Sequence, residues 1–243
     1  MNVMSVALHR NREDQVRELL RTSLSWVVSD AESAVAEVRT FQTVRQWRRN
    51  LEARISAAAF AAGIIPGMNV GGILLELPYL FHLMGRGAIG TGKLAGSRIE
   101  AEADLVAIFG LWSGAINESA LVAAEGTVVV VNSVAYPVFG AKVLALGLDF
   151  GAHAIAASVG GVAGATMANA AFPLGIMIEP ALTKISAKIS AKVTAKVGAK
   201  AVICFVPLFG AVVNIGISLY ILDEFLDAAE QYYQHKIKDD VMR

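Results

Sequence analysis

The segment "GRGAIGTGKL" has the spacing that comes closest to a catalytic motif. Gly87, Gly92 and Lys93 match the G-x-x-x-x-G-K pattern of a phosphate-binding loop. The next residue is Leu94, where a nucleotide-binding loop needs Ser or Thr to ligate Mg²⁺. The preceding "ILLELPYLFHLM" is predicted to be a helix, whereas such a loop follows a strand. The sequence therefore argues against nucleotide binding.

The histidines and the single cysteine form no metal-binding or nucleophile pattern. The histidines are far apart in sequence and show no HExxH motif: His9, His82, His153 and His235. Cys204 lies in the apolar "AVICFVP", which is typical of a small buried hydrophobic residue. His153 stands alone in an apolar run, where protonation at about pH 6.5 offers the alternative role of an acid-triggered switch. We expect no metal, no cofactor and no enzymatic activity.

Three carboxylates lie close together near the start of a predicted helix: Glu100, Glu102 and Asp104. Carboxylates at a helix start interact favourably with the helix dipole. Ser97 is predicted to cap this helix over about 98–117, with the capping-box acid three residues later. The alternative is an enzyme with an unrecognised polar site. A buried polar cluster that joined Glu76 and His82 to these carboxylates would favour it.

The segment "TKISAKISAKVTAKVGAKAV" carries lysine at every fourth position: Lys184, Lys188, Lys192, Lys196 and Lys200. Four residues of α-helix turn about 400°, so the five lysines sweep about 160° of helix surface. No acid occurs between Glu179 and Asp223 to relieve their repulsion. The lysines have three interpretations: a solvated face, contact with anionic lipid, or contact with nucleic acid. Nucleic acid is disfavoured because no aromatic residue interleaves the lysines and the net charge is zero.

A second basic group precedes the first apolar run of the chain. It contains Arg45, Arg48 and Arg49. A basic residue near an anionic membrane surface contributes about 1 kcal/mol to binding. These arginines and the five lysines are therefore our predicted contacts with lipid headgroups.

The composition is that of a membrane protein or of a protein with membrane-active segments. Of the 243 residues 55% are hydrophobic and 17% are charged, against about 25% charged in soluble domains. The mean hydropathy is +0.54. Three uncharged runs are each long enough to span a bilayer. They cover residues 55–75, 150–178 and 201–222.

Glycine and proline interrupt each of these runs. The spacing of Gly160 and Gly164 is GxxxG, which permits close helix approach in lipid. Runs of small residues with such interruptions favour packed helical hairpins over straight, uninterrupted spans. The predicted turn and packing positions are Gly63, Pro66, Gly67, Gly160, Gly164, Pro207, Gly210 and Asn214.

We predict an all-α fold, a bundle of hydrophobic helical hairpins preceded by a charged helical segment. The predicted domains are charged amphipathic helices over 1–54 and an apolar helical domain over 55–243. A helix is predicted over about 72–95. The β-branched "TVVVVNSV" of residues 127–134 is either a strand or a buried helix, because periodicity does not decide a short apolar run.

Two regions resemble EcsC-like proteins. "AAGIIPGMNVGGILLELPYLFHLMGRGA", followed by "EAEADLVAIFGLWSG", is similar to the front half of that family, and Glu76 fills its acidic position. "KISAKISAKVTAKVGAKAVICFVPLFGAVVNIGISLYILDEFLDAAEQYY" is similar to its end, which carries Pro207, Gly210 and Asn214. The glycine-rich middle, 126–178, shows no such similarity. The resemblance implies an all-helical, membrane-associated protein without an established chemistry.

These observations lead to a membrane-inserting or membrane-perturbing protein as the first interpretation. It would be a toxin-like effector that forms pores in a membrane or depolarises it. The alternative is a peripheral lipid-binding or scaffold protein of the EcsC-like type without pore activity. The start of the chain turns polar by His9, too early for a secretory signal. We therefore expect synthesis in the cytoplasm, membrane association, and any export by a specialised system.

The expected partners follow from this interpretation. They are an anionic lipid bilayer, further copies of the chain on insertion, and a neutralising or chaperone partner. Nucleic acid is not an expected partner.

Overall fold

A computed structural model describes residues 3–64, 71–126, 129–131, 134–136, 139–147, 182–191 and 207–242. Within these residues the chain forms helices and one short hairpin, so the predicted all-α fold is confirmed. The helices are α1 (Val3–Ser29), α2 (Ala31–Val38), α3 (Val44–Ile64), α4 (Gly71–Leu94), α5 (Ala101–Ser113), α6 (Ser119–Ala124), α7 (Phe139–Gly147), α8 (residues 182–191) and α9 (Pro207–Val241).

The strands answer the question left open for residues 127–134. β1 (Val129–Val131) and β2 (Val134–Tyr136) pair antiparallel, with Val130 opposite Ala135. The described residues Val129–Val131 of this run are therefore one strand of a hairpin, and Val134 begins the other. β-branched side chains suit the pleated backbone better than they suit a helix.

Helices α3 and α9 pack antiparallel along much of their lengths. Near the start of α3, Arg48 reaches Asp223 in the middle of α9. Near the end of α3, the carbonyl of Ala59 accepts a hydrogen bond from Asn214, close to the start of α9. Buried residues recur every four positions along α3 and turn one face of that helix to the core. They are Trp47, Leu51, Ile55 and Ala59.

Helix α4 lies in the middle of the bundle and approaches its neighbours through glycine. A Cβ at Gly85 would lie 2.7 Å from Val27 of α1, and one at Gly87 would lie 2.7 Å from Leu226 of α9. A Cβ at Gly90 would overlap the indole of Trp47. Real Cβ atoms do not approach other atoms so closely, so a larger residue at any of these positions would force its neighbour to shift.

The remaining helices cover the other side of α9. Phe109 of α5 packs on Phe225 of α9, with ring centroids 4.6 Å apart. Gly140 of α7 lies so close to α5 that a Cβ there would be 2.7 Å from the carbonyl oxygen of Ala103. One connected apolar core thus joins residues of α1 to α7 with residues of α8 and α9.

The start of α5 differs from the prediction. The helix begins at Ala101, and Glu100 occupies the N-cap position. The carboxylate that folds back is that of Asp104, which accepts a 2.9 Å hydrogen bond from the backbone N–H of Glu100. The cap predicted at Ser97 was therefore wrong, since the hydroxyl of Ser97 donates instead to the carbonyl of Arg98.

The predicted domain boundary, between residues 54 and 55, falls inside α3. That helix continues without a break from Val44 to Ile64. The division into two domains stays a prediction. The backbone at the proposed boundary is regular helix.

The membrane-inserting, pore-forming and toxin-like interpretation was wrong. Among the described residues no helix has both the length and the apolar character that crossing a bilayer needs. Run 55–75 is divided between α3 and α4, and α3 also carries arginines. The described part of run 201–222 opens α9, which continues into an acidic and basic segment. Run 150–178 lies outside the described residues.

The glycine-mediated packing predicts opposite effects for two Gly→Ala substitutions. Gly90→Ala is expected to lower the free energy of unfolding by about 1–3 kcal/mol, because its methyl group collides with Trp47. Gly216→Ala in α9 is the matched control. A Cβ there meets nothing within 4 Å, and alanine is favoured in helices by about 1 kcal/mol. Urea unfolding measures both, and equal stability of the two variants would contradict the packing.

Candidate functional site

Two buried lysine–aspartate pairs lie beside one another on α9. Lys236 contacts Asp104 of α5, with Nζ 2.7 and 3.0 Å from the two carboxylate oxygens. Asp239 contacts Lys142 of α7, also at 2.7 and 3.0 Å. Each lysine side chain is 2% exposed and each aspartate 0%. Lys236 and Asp239 are three residues apart, so they face the same side of α9.

Both aspartates accept additional hydrogen bonds. The hydroxyl of Tyr232 donates to Asp104 at 2.6 Å, and that of Tyr233 reaches the other carboxylate oxygen at 3.4 Å. Asp239 accepts a 2.9 Å hydrogen bond from the backbone N–H of Gly126. A buried charge is stable only when its remaining hydrogen-bonding positions are filled. Both aspartates satisfy that condition.

The tyrosines in this cluster are held in their neutral form. Desolvation by burial raises the pKa of Tyr232 well above its ordinary value, and the charge of Asp104 raises it further. Tyr233 has a raised pKa for the same two reasons. Both hydroxyls therefore donate to Asp104 at neutral pH. The arrangement fastens α5 and α7 to α9, and it does not generate a reactive phenolate.

The polar cluster that would favour an enzyme is only partly assembled. Glu100 joins it, with its carboxylate 3.4 Å from Lys236. His82 lies elsewhere, stacked on Trp26 of α1. The side chain of Glu76 lies outside the described residues. The prediction that the chain is not an enzyme stays a prediction.

A second group of charged residues lies at one end of the bundle. There the end of α2, the start of α3 and the last turns of α4 converge, since a Cβ at Gly90 would touch both Val38 and Trp47. Four exposed cations lie within three residues of these contacts along the chain. They are Arg39, Arg45, Arg49 and Lys93, and we call them the cationic end.

The cationic end, like Lys188 of α8, differs from most of the described cations in having no paired acid. Elsewhere Arg48, Arg54 and Arg86 each pair with carboxylates. The four residues of the cationic end make no ion pair or side-chain hydrogen bond with any described residue. Their charge is therefore directed to solvent.

The three predicted arginines thus divide into two groups. Arg45 and Arg49 are exposed at the cationic end. Arg48 is half-buried and bonds Asp223 at 3.1 Å and Asp227 at 2.7 Å. Desolvation lowers the pKa of Arg48, but hydrogen bonds to Asp227 and Asp223 outweigh it and raise the pKa overall. Its charge joins α3 to α9 in the described structure.

The lysine helix is described only at its start. Lys184 and Lys188 are exposed on α8, while Ile185 and Ile189 between them are buried. The apolar ribbon beside the lysines therefore faces the core. The other three predicted lysines, Lys192, Lys196 and Lys200, lie outside the described residues.

The predicted turn and packing positions are also partly described. Gly63 is the last residue but one of α3, and Pro207 is the first of α9, where proline is well tolerated. Gly210 lies in the first turn of α9, and the buried Asn214 bonds the Ala59 carbonyl at 2.9 Å. Outside the described residues lie Pro66, Gly67, Gly160 and Gly164, together with His153 and Cys204.

The buried pairs were missed from sequence, although one signal was present. Lys142 is the only charged residue between Glu125 and Asp149, in an otherwise apolar stretch. A lone lysine in such a stretch requires a buried acidic partner. Sequence alone did not identify Asp239, nearly one hundred positions away, as that partner.

Comparisons with known proteins add no family. No protein-family model, no curated protein and no solved structure matches the chain. Within the described residues no group of three or more His, Cys, Asp and Glu side chains is placed to hold a metal ion. The resemblance to EcsC-like proteins stays a prediction, and function is argued from the sites of this chain.

Breaking one buried pair is expected to be costly. Lys142→Met leaves Asp239 charged and buried, and should lower the free energy of unfolding by about 3–5 kcal/mol. The double variant Lys142→Met/Asp239→Asn removes both charges and should recover part of that loss. Urea denaturation measures both. A single variant within about 1 kcal/mol of the wild type would show that the pair does not fasten α7 to α9.

Proposed function

We propose that this chain is a non-enzymatic binding protein that docks peripherally on a surface rich in phosphate groups, the headgroups of anionic lipids. The observation that carries the proposal is the cationic end. Four exposed cations lie just after α2, in the first turns of α3 and in the last turn of α4, where these helix ends meet, and none has a described acidic partner. No step in this proposal requires a helix to enter the hydrocarbon.

The magnitude of the electrostatic attraction is sufficient for reversible binding. Each basic residue near an anionic membrane contributes about 1 kcal/mol, so four give about 4 kcal/mol. The attraction acts only within a Debye length, about 8 Å at physiological salt. Cations at one end of the bundle can approach a flat surface together. The zero net charge of the chain makes this local concentration, and not the overall charge, the source of attraction.

The sequence resemblance supports lipid as the source of the phosphate groups. The resemblance to EcsC-like proteins implies membrane association, and its first segment covers residues 61–88, which precede Lys93 in the chain. Lys184 and Lys188 are a second predicted headgroup contact, on a different helix. Further copies of the chain and a neutralising or chaperone partner stay predictions.

The proposal predicts which cations matter for vesicle binding. Arg45→Gln/Arg49→Gln should weaken binding to vesicles containing phosphatidylserine by about thirtyfold, from two contributions of about 1 kcal/mol each. The matched control is Arg21→Gln/Lys238→Gln, which removes two exposed cations that pair with Glu18 and Glu125. The control should bind within about twofold of the wild type. Co-sedimentation at several salt concentrations measures the affinities.

Three additional measurements define the outcome. Phosphatidylcholine vesicles should not bind the chain, and entrapped dye should stay inside the anionic vesicles. Inorganic phosphate at matched ionic strength should not compete, because it lacks the density of charge of a headgroup surface. Equal losses in the two double variants, or no binding to either kind of vesicle, would reject the docking surface.

A further inference from the structure

At the contact between α1 and α4, a buried histidine stacks against a partly exposed tryptophan. The indole of Trp26 stacks on the imidazole of His82, with ring centroids 3.8 Å apart and planes 18° from parallel. Trp26 is 49% exposed and His82 only 6%. The indole therefore separates the imidazole from solvent, and a protonated His82 keeps this cover only by giving up its hydration.

The groups around His82 do little to stabilise its protonated form. Its Nδ1 is buried and has no hydrogen-bond partner. Its Nε2 lies 3.9 Å from a carboxylate oxygen of Asp30, which is too far for a hydrogen bond. Desolvation by burial lowers the pKa of His82. Neutral imidazole is thus the form that this contact stabilises.

The neighbouring charges already balance one another. Arg86, one turn after His82 on α4, pairs with Asp30 between α1 and α2 and with Glu37 of α2. Glu37 also pairs with Arg54 of α3. Two carboxylates thus face two guanidinium groups. An imidazolium would add a third positive charge beside Arg86, and the nearest carboxylate, that of Asp30, already pairs with Arg86.

The contact with α4 holds helix α1 in position. The buried residues Leu20, Leu24 and Val27 pack into the core from α1. Val27 fits against Gly85, three residues after His82 on α4. The side chains of α1 that hold it to the bundle and the Trp26–His82 stack therefore lie along the same contact.

We propose that the Trp26–His82 stack is an acid-sensitive latch, which holds the second half of α1 on α4 when His82 is neutral and releases it when His82 takes up a proton. Three features make up this device: the ring stack, the buried Nδ1 of His82 without a hydrogen-bond partner, and the charge balance around Arg86. The device does not depend on lipid binding by the cationic end.

The direction of the pH dependence follows from the lowered pKa. In the released state His82 has its ordinary pKa of about 6.5. The latch is therefore fully effective above about pH 6.5 and weakens as pH falls through that value toward the lower pKa of the docked state. Within this window the equilibrium constant for release rises by up to about tenfold per pH unit.

Hydrogen exchange of the full chain tests the latch. Between about pH 7.5 and about pH 5.5, protection of residues 20–29 should fall up to about tenfold after correction for intrinsic exchange rates. Protection of α5 and α9 should change less than twofold. His82→Phe keeps an aromatic ring under Trp26 but does not titrate, so its α1 protection should not depend on pH. His235→Gln, which alters the half-buried histidine beside Glu125, is the control and should respond like the wild type.

NMR titration of the histidines in the wild-type chain gives an independent reading that does not need a variant to fold. The His82 resonance should titrate together with the loss of α1 protection. The latch is rejected by unchanged wild-type protection of α1 at the lower pH, by a pH response retained in His82→Phe, or by titration of His82 with α1 still protected.

Discussion

The close approach of α4 to its neighbours is the constraint on which the other features depend. Gly85, Gly87 and Gly90 let side chains of α1, α9 and α3 contact the α4 backbone. The indole of Trp47 also donates a 3.2 Å hydrogen bond to the carbonyl of Gly87. This packing sets where the last turns of α4 lie relative to α2 and α3, and so where the cations at those helix ends gather.

The charges of the described chain fall into groups with different physical roles. The lysine–aspartate pairs on α9 are buried and fully hydrogen-bonded, so they fasten helices and are inaccessible to a partner. Arg86 joins α4 to Glu37 of α2 and to Asp30, which lies between α1 and α2, and so engages the carboxylate nearest to His82. At the cationic end four described cations combine exposure with the absence of a paired acid. That difference is why a binding role is assigned to it and not to the buried cluster.

Several elements were predictable from sequence because their signals are local. The helix predicted over about 72–95 is α4, at Gly71–Leu94. The rejection of a phosphate-binding loop agrees with the position of Gly87 and Gly92 inside this helix. There Gly92 allows the contact with Tyr233. The glycines are explained by helix packing, a tertiary property that the sequence pattern did not reveal.

The rest depended on contacts between distant residues. The glycine and proline of run 55–75 predicted that it is interrupted, and its described residues lie in α3 and α4, but the run does not show that α3 begins at Val44. Arg48 and Arg49 are adjacent in sequence, but only Arg48 faces the carboxylates of α9. The cationic end likewise combines Arg39 with Lys93, which no sequence pattern connects.

Lysine acetylation in the presence of phosphatidylserine vesicles tests the central claim most directly, because it locates the bound face without a substitution. Lys93 lies at the cationic end, whereas Lys238, 60% exposed, lies on α9 beside Glu125. Docking by the cationic end predicts that vesicles slow the modification of Lys93 and leave the rate at Lys238 unchanged. An unchanged rate at Lys93 under conditions in which the chain binds the vesicles would contradict the account.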